Sequence, residues 1–300
     1  MLEAVPNVSE GRDSAVVEAI GAAFARAAVL LDTHSDPDHH RSVFTLVGHE
    51  QGLVESLLAG IAAAVDLVDL REHVGVHPRV GVADVVPLVP LVEDDVGHAA
   101  AAARALAQRI GAELGLPVFL YGEVGGGRRP AFFRRGGLDE LRRRVGSREL
   151  APDAGPDRID PRSGVVLVGA RAALVAYNLD LHTDDLEVAR AVAKAVRESS
   201  GGMPGVQAMG LRLPRSGRVQ VSMNVIDVDR APLHEVVERV RSEAGARGVE
   251  IVRGELVGLV PERVVEAATA AGVELPGVDA SHVLERVLRS RLAAWPDRSS

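Results

Sequence analysis

The stretch that decides the fold is REHVGVHPRVGVADVVP, at residues 71–87. Its two histidines, His73 and His77, stand four residues apart, a spacing that would place both on one face of a helix. Gly75 and Pro78 are poor residues for the interior of a helix, so we predict a loop instead. Because a residue before proline is pushed towards extended backbone angles, the imidazole of His77 is expected on a stiff, defined backbone.

A buried strand is predicted directly after this loop. Residues 82–91 are apolar and rich in valine, with Asp84 among them, a pattern typical of a strand inside a sheet. A single loop histidine is most often solvated surface. Arg79, Asp84 and a second histidine-rich stretch at residues 34–41 favour a functional site at the strand end.

The composition is that of an ordinary globular protein and disfavours several classes. The 300 residues are 47% hydrophobic and 25% charged, which predicts a large core and two domains. Only 3% are aromatic and the net charge is −8, so nucleic acid is not expected as a partner. The absence of cysteine excludes disulfides and thiolate zinc sites. We see neither a signal peptide nor a membrane-spanning run, so we expect a cytoplasmic protein.

Hydrophobic periodicity predicts the order β-α-β-β-α-β twice, once near each end of the chain. The predicted strands are 2–5, 29–32, 42–47, 85–91, 118–121, 172–179, 206–213, 219–228 and 251–257. The predicted helices are 14–26, 52–70, 94–114, 138–145, 184–198, 233–246, 262–271 and 282–292, with Thr183 as an N-cap. The stretch APDAGPDRIDPRSG, at residues 151–164, indicates the approach to a domain boundary. We predict an α/β (α+β) protein of two ferredoxin-like subdomains, 1–172 and 173–300, whose sheets face each other across a cleft.

A second cluster of polar residues is predicted to form one loop between two strands. It leaves three hypotheses open. A dinuclear metal site is disfavoured because the H-x-H-x-D-H spacing is not met. A site for an organic substrate would use an arginine for carboxylates and acids for an amidinium group or amine. A solvated polar loop is the third. The cluster consists of His34, Asp36, Asp38, His39, His40 and Arg41.

The glycine run Gly125–Gly127 does not indicate nucleotide binding. Neither GxxxxGK nor GxGxxG occurs, and Lys194 is the only lysine in the sequence. We interpret GEVGGGRRP, at residues 122–130, as a mobile basic surface loop.

Several spaced motifs resemble those of one family, the glutamate formimidoyltransferases. They are VPNVSEGRD, LDTHSDPDHHRSVFTLVG, REHVGVHPRVGVADVVPLVP, LPVFLYGE, LAPDAGP, GARAALVAYN, VSMNVID and ELVGLVP, in the same order as in the family. The chain is similar to the stand-alone bacterial form, without a fused cyclodeaminase domain. The resemblance implies transfer of the formimino group of N-formimino-L-glutamate to N5 of tetrahydrofolate, in histidine degradation. It further implies a homodimer and a folate-binding tunnel, and the chemistry of such a transfer requires no metal.

The resemblance also implies residue roles. The family's catalytic histidine, in its HPRVG motif, is His77 here. The family's folate-contact segment corresponds to residues 155–164 through the anchors Gly155, Pro156, Pro161 and Gly164. His40 stands where the family usually has asparagine, immediately before Arg41.

The chemistry of the expected reaction suggests further roles for residues of the site. One imidazole, with an ordinary pKa near 6.5, can take the proton from N5 and return it to the departing glutamate nitrogen. Carboxylates of both substrates suit Arg41 and Arg79, and a cationic adduct suits nearby carboxylates. The complete set of expected substrate-binding residues is His34, Asp36, Arg41, His73, Arg79, Asp84 and Glu123.

Three alternatives remain at this point. The first is formyl transfer on the same fold, from N-formylglutamate or 5-formyltetrahydrofolate. The second is a paired ferredoxin-like binding module without turnover. The third is a metallohydrolase with His34, Asp36, Asp38, His73 and His77 as ligands.

Overall fold

The computed structural model describes residues 1–91 and 95–293. The chain folds into two compact units, Met1–Ala172 and a second that begins at Ala173. Throughout the described ranges, no helix has both the length and the apolar character needed to cross a membrane.

The first unit contains one mixed sheet. Its strands are β1 (Leu2–Ala4), β2 (Asn7–Val8), β3 (Val29–Asp36), β4 (Arg41–Gly48), β5 (Ala83–Pro90), β6 (Val118–Gly122) and β7 (Val166–Ala170). Its α-helices are α1 (Ser14–Phe24), α2 (Glu50–Leu67), α3 (Val96–Arg109), α4 (Pro130–Arg134) and α5 (Gly137–Gly146). Both β1 and β2 pair with β4 on one side and β5 on the other. They therefore act as one strand, interrupted where Pro6 lacks an N–H for the ladder.

The strand order across this sheet is β3, β4, β1 with β2, β5, β7, β6. The first four positions have the ferredoxin-like topology, and β7 and β6 extend the sheet by parallel pairing beyond β5. One face packs on α1, α2 and α3 through a large core that includes Phe24, Phe44 and Leu57. The opposite face carries a smaller core with Phe119 and Phe133, which brings α4 and α5 against it.

The second unit has an antiparallel sheet in the order β11, β8, β10, β9. Its strands are β8 (Val175–Leu181), β9 (Val206–Arg212), β10 (Val219–Val225) and β11 (Ile251–Val257). Its α-helices are α6 (Leu186–Val196), α7 (Leu233–Gly245), α8 (Glu262–Ala270) and α9 (Leu284–Leu292). Alternate residues of β8, from Val175 to Leu181, join the core under the helices, as a half-buried strand requires. The predicted α/β class and the two β-α-β-β-α-β runs are confirmed.

Several local predictions are wrong. Strand β3 extends to Asp36, so His34 and Asp36 lie in a strand and not in the predicted loop. The N-cap of α6 is Asp185, whose side chain accepts from the N–H of Glu187, and not Thr183. Helix α3 ends at Arg109 and continues as a π-helical turn, Ile110–Leu114. The predicted start of that helix, at Asp94, lies outside the described residues.

Candidate active site

The candidate site lies on the sheet face opposite α1 and α2. Along β4, Phe44 and Leu46 point into the large core, so Arg41 points to the other face, because successive side chains of a strand alternate. The loop at residues 73–79, hereafter the histidine loop, reaches the same face. The polar side chains assembled there are Asn7, Arg41, His73, His77, Arg79, Asp84 and Arg134.

His77 contacts Arg41 directly. The Nη1 of Arg41 lies 2.6 Å from Nδ1 of His77, and the carbonyl oxygen of Pro78 lies 2.8 Å from the same nitrogen. Arg41 is itself held by Asn7, whose Oδ1 accepts from its Nε at 2.8 Å. The predicted site residues His77 and Arg41, 36 positions apart, are thus brought together.

Asp84 is the buried carboxylate of the site, with 1% of its side chain exposed. It is the extra residue of a β-bulge, since β2 pairs Asn7 with Val85 but Val8 with Ala83. Bulges re-aim a side chain next to functional sites. One oxygen accepts from the N–H of Val80 at 2.8 Å. The other, Oδ2, accepts from Arg134 and lies 3.6 Å from Nη1 of Arg41.

The site carries more positive than negative charge. Burial, only partly offset by Asp84, lowers the pKa of Arg41 to about 9 and that of Arg79 to about 10. Both guanidinium groups therefore remain cationic at neutral pH. Together with Arg134 they form the arginine cluster (Arg41, Arg79 and Arg134). Such an excess of buried cations favours an anionic ligand.

The same environment keeps His77 neutral. Desolvation, followed by the charges of Arg41 and Arg134, lowers the pKa of His77 well below its ordinary value of 6.5. His77 is therefore a neutral imidazole at pH 7, and its pKa is lower than the ordinary value near 6.5 that the sequence led us to expect.

Arg79 holds the histidine loop together. Its Nη1 contacts the ring of His73, its Nε donates to the carbonyl of His77 at 3.1 Å, and its Nη2 donates to the carbonyl of His39 at 3.3 Å. The residues predicted to bind substrate, Arg79 and His73, therefore also fix the backbone that carries His77.

The turn between β3 and β4 packs on the same loop. Oδ1 of Asp36 accepts from the N–H groups of Asp38 and His39, each at 2.7 Å, which makes the turn compact. The ring of His40 stacks on that of His73, with 3.9 Å between centroids. Nδ1 of His40 lies 3.0 Å from the carbonyl of Val74. The histidine loop and the hairpin turn therefore hold each other in place through these contacts.

A cavity of about 270 Å³ opens beside the histidine loop. It offers His77, His73 and Arg79 to a ligand, together with apolar walls. Its lining residues are Leu70, His73, Gly75, His77, Arg79 and Leu138.

The segment at residues 155–164 is attached to the base of the histidine loop. Gly155 and Gly164 have φ of +80° and +70°, which glycine adopts at no steric cost. Gly164 forms an antiparallel bridge with Gly81. The predicted folate anchors Pro156 and Pro161 lie between these two glycines.

The remaining predicted substrate-binding residues are His34 and Glu123. His34 lies in β3, in register with Val43. Glu123 is exposed in a short 3-10 helix after β6, and no hydrogen bond among the described residues connects it to the site.

Sequence reasoning missed Asn7, Arg134 and Tyr121. Tyr121 is buried opposite Gly169, with Arg171 and Arg134 close enough to influence its pKa, which burial raises. Arg134 belongs to α4, which begins at Pro130, the last residue of the segment interpreted as a mobile loop. The available signal was Pro130, two residues before the pair Phe132 and Phe133, since proline is favoured in the first turn of a helix.

The site does not suit a metal cation. Within residues 1–91 and 95–293, no group of three or more histidine, aspartate or glutamate side chains is arranged to hold a metal ion. More directly, guanidinium groups of Arg41 and Arg79 contact the rings of His77 and His73, so a cation bound there would be repelled.

The fold and the site together define a two-unit α/β protein whose neutral histidine lies among arginines, a class of site suited to proton transfer on an anionic ligand. The family model described as "Formiminotransferase domain, N-terminal subdomain" matches residues 1–171, and that described as "Formiminotransferase domain" matches residues 176–274. The chain belongs to the formiminotransferase family.

Similar proteins agree with this assignment. A glutamate formimidoyltransferase of Thermoplasma acidophilum is 37% identical over 295 residues, covering 95% of this chain and 96% of its own length. A protein of the same name from Streptococcus pyogenes serotype M1 is 36% identical, covering 88% of this chain and 90% of its own. The formimidoyltransferase-cyclodeaminase of Sus scrofa is 38% identical, and the match covers 90% of this chain but 52% of that protein.

Among solved structures, a microcompartment protein from Desulfitobacterium hafniense DCB covers 89% of this chain and 98% of its own. The sequence identity is 13% and the TM-score 0.23, too low to support a conclusion.

Proposed function

We propose that this chain is a glutamate formimidoyltransferase. It transfers the formimino group of N-formimino-L-glutamate to N5 of tetrahydrofolate, and releases L-glutamate. Family membership supports the reaction. The observation in the site that carries the proposal is the neutral His77, held beside Arg41 and lining a cavity.

The proposed chemistry uses His77 as a proton shuttle. N5 attacks the formimino carbon while its proton passes to the imidazole. The bond from this carbon to the glutamate nitrogen then breaks, and the imidazolium returns the proton to that nitrogen. Holding both substrates in contact removes much of the remaining barrier. The arginines next to His77 make the imidazolium a stronger acid than usual, which favours the second transfer.

The positive and negative groups of the site are proposed to play different parts in substrate recognition. Arg41 and Arg79 take carboxylates of the substrates, and His73, which lines the cavity, also contacts a substrate. The carboxylate of Asp84 offsets part of the positive charge of Arg41 and Arg134. Roles for His34, Asp36 and Glu123 in binding the donor are part of the same proposal.

The 155–164 segment is proposed to contact folate through Gly155, Pro156, Pro161 and Gly164. Its attachment to the histidine loop supports this role. In the same proposal, Met1–Ala172 is the N-terminal formiminotransferase subdomain and residues 173–300 are the C-terminal one. The enzyme acts in the cytoplasm, in histidine degradation, as a homodimer, and the molar mass from light scattering tests the last point.

The decisive experiment is an assay of purified protein with tetrahydrofolate and three donors in parallel: N-formimino-L-glutamate, N-formylglutamate and 5-formyltetrahydrofolate with glutamate. We expect the formimino donor to be the best. His77→Asn should lower its transfer rate about 10²–10⁴-fold, the usual worth of a positioned acid–base group. The matched control is His49→Asn, at an exposed histidine that precedes α2.

Each rival predicts a different result in that assay. A preference for either formyl donor would replace the reaction within the same fold. Undiminished transfer by His77→Asn would remove the proposed shuttle. A metallohydrolase would release formamide or ammonia without tetrahydrofolate and would lose that activity to a chelator.

A further inference from the structure

Two partners in the site make opposite demands on one atom of His77. Nη1 of Arg41 and the carbonyl oxygen of Pro78 lie 2.6 Å and 2.8 Å from Nδ1. A guanidinium only donates and a carbonyl only accepts. When Arg41 donates, Nδ1 is bare and Nε2 carries the proton. When Pro78 accepts, Nδ1 carries the proton and Nε2 is bare. Both neutral tautomers therefore have a hydrogen-bond partner in place.

Only the second tautomer can act as a base towards a ligand. Nδ1 of His77 faces the protein on both sides, whereas no hydrogen bond among the described residues engages Nε2. A substrate proton must therefore go to Nε2, which requires Nε2 to be bare. As long as Arg41 donates to Nδ1, the proton on Nε2 blocks that transfer.

An anion is the group that could draw Arg41 away. Arg41 and Arg134 share the carboxylate of Asp84, and their side chains are only 12% and 14% exposed. One carboxylate cannot saturate two guanidinium groups. Nε of Arg134 is buried, and it has no hydrogen-bond partner in the part of the chain that the structure describes. A buried donor without a partner is costly, so the pair has unused capacity for a second carboxylate.

We propose that a carboxylate of the donor substrate binds to Arg41 and Arg134, and that this contact withdraws Arg41 from Nδ1 of His77, so that Nδ1–H donates to Pro78 and Nε2 becomes bare. The inference rests on the proposed function and deepens it. It names Arg134 as a donor-binding residue and makes donor binding the event that prepares the base. His77 stays neutral in this step, because one proton leaves Nε2 for solvent and one is taken up at Nδ1.

The direct test is ¹⁵N NMR of the histidine side chains, since a ring nitrogen that carries a proton resonates well upfield of a bare one. The wild-type protein is titrated with N-formimino-L-glutamate in the absence of tetrahydrofolate, so no turnover occurs. We expect the resonances of His77 to exchange character, from protonated Nε2 to protonated Nδ1. The dimethyl ester of the donor lacks both carboxylates and should leave His77 unchanged.

Variants of Arg134 test the named residue. Arg134→Gln should raise the KM for the donor about 10²-fold, as loss of a charged hydrogen bond predicts, with the KM for tetrahydrofolate within about twofold. It should also abolish the tautomer change at donor concentrations that saturate the wild type. Arg134→Lys keeps the charge and should restore part of both effects. The matched control is Arg135→Gln, at the exposed neighbouring position.

The outcomes are separable. Transfer by the wild type, with no change of the His77 tautomer at donor concentrations that saturate turnover, would overturn this inference and leave the proposed function in place. An unchanged donor KM in Arg134→Gln would do the same. Absence of transfer from the formimino donor by the wild type would instead remove the proposed function and the inference with it.

Discussion

Gly81 and Gly164 face each other across an antiparallel bridge, with backbones too close to admit a Cβ atom on either residue. A Cβ on Gly81 would overlap the carbonyl oxygen of Val165, and one on Gly164 would overlap that of Val80. Hydrogen bonds flank the bridge, including one of 3.0 Å from the N–H of Val165 to the carbonyl of Val80. The base of the histidine loop and the end of the 155–164 segment therefore share one rigid junction.

Gly81→Ala should damage this junction. The obstructing atoms are backbone and cannot move as a flexible side chain would, so we expect a loss of about 2–3 kcal/mol in the free energy of unfolding, measured in urea. Gly97→Ala, near the start of α3, is the control, because the added Cβ meets no described atom within 4 Å beyond its chain neighbours and its own helix backbone. It should stabilise the protein by about 0.5–1 kcal/mol. Equal stabilities for the two variants would contradict the packing described.

Asp84→Asn should be strongly destabilising. It leaves Arg41 and Arg134 without their shared carboxylate in a buried site, and removal of one partner of a buried ion pair costs about 3–5 kcal/mol. The double variant Asp84→Asn, Arg134→Gln should recover part of this loss, which a double-mutant cycle measures. Asp139→Asn is the control, because that carboxylate is 96% exposed in its pair with Arg142. It should change stability by less than about 0.5 kcal/mol. Additive effects of Asp84 and Arg134 would show that the two residues do not interact.

Substitutions of His40 test whether its contacts stabilise the histidine loop. Its φ of +51° lies in the left-handed region, which asparagine tolerates better than alanine. His40→Asn loses the stack on His73 and the contact to Glu10 at 3.2 Å, and should cost about 1 kcal/mol. His40→Ala should cost about 1 kcal/mol more, from backbone strain. Thermal unfolding should therefore rank wild type above asparagine and asparagine above alanine. The opposite order of the two variants would show that backbone strain at residue 40 is unimportant.

The elements that the sequence predicted best are those with a long, regular pattern. Strand β11 has the predicted bounds, Ile251–Val257, and α7 differs by one residue at its end. Strand β2 and helix α4 were missed because two and five residues are too few to show a period. Strand β7 was missed because its apolar run lies directly after the segment interpreted as a boundary.

The site was predictable where its residues fall in dense polar stretches of the sequence, such as residues 34–41 and 71–87. The histidine loop could be recognised because His73, His77 and Arg79 lie within seven positions. Arg134 is 50 positions from Asp84, and only the packing of α4 on the sheet brings the two together. The lowered pKa of His77 could not be predicted from the sequence either. Its causes are burial and the charges of Arg41 and Arg134, which are distant in sequence and approach His77 only in the folded chain.

His77 should also make the stability of the protein depend on pH, in a direction that its environment fixes. Its pKa in the folded protein lies well below the ordinary value of 6.5, because burial and Arg41 disfavour the imidazolium. Between those two values the unfolded chain binds more protons than the folded one, so the free energy of unfolding falls as pH falls from 6.5. Asparagine cannot titrate, so the fall should be shallower in His77→Asn. Urea unfolding at intervals from pH 7.5 to pH 5 measures both curves. His40, whose pKa burial also lowers, contributes equally to both proteins, so the difference between the curves isolates His77. Parallel curves would mean that His77 binds its proton equally well in the folded and unfolded protein.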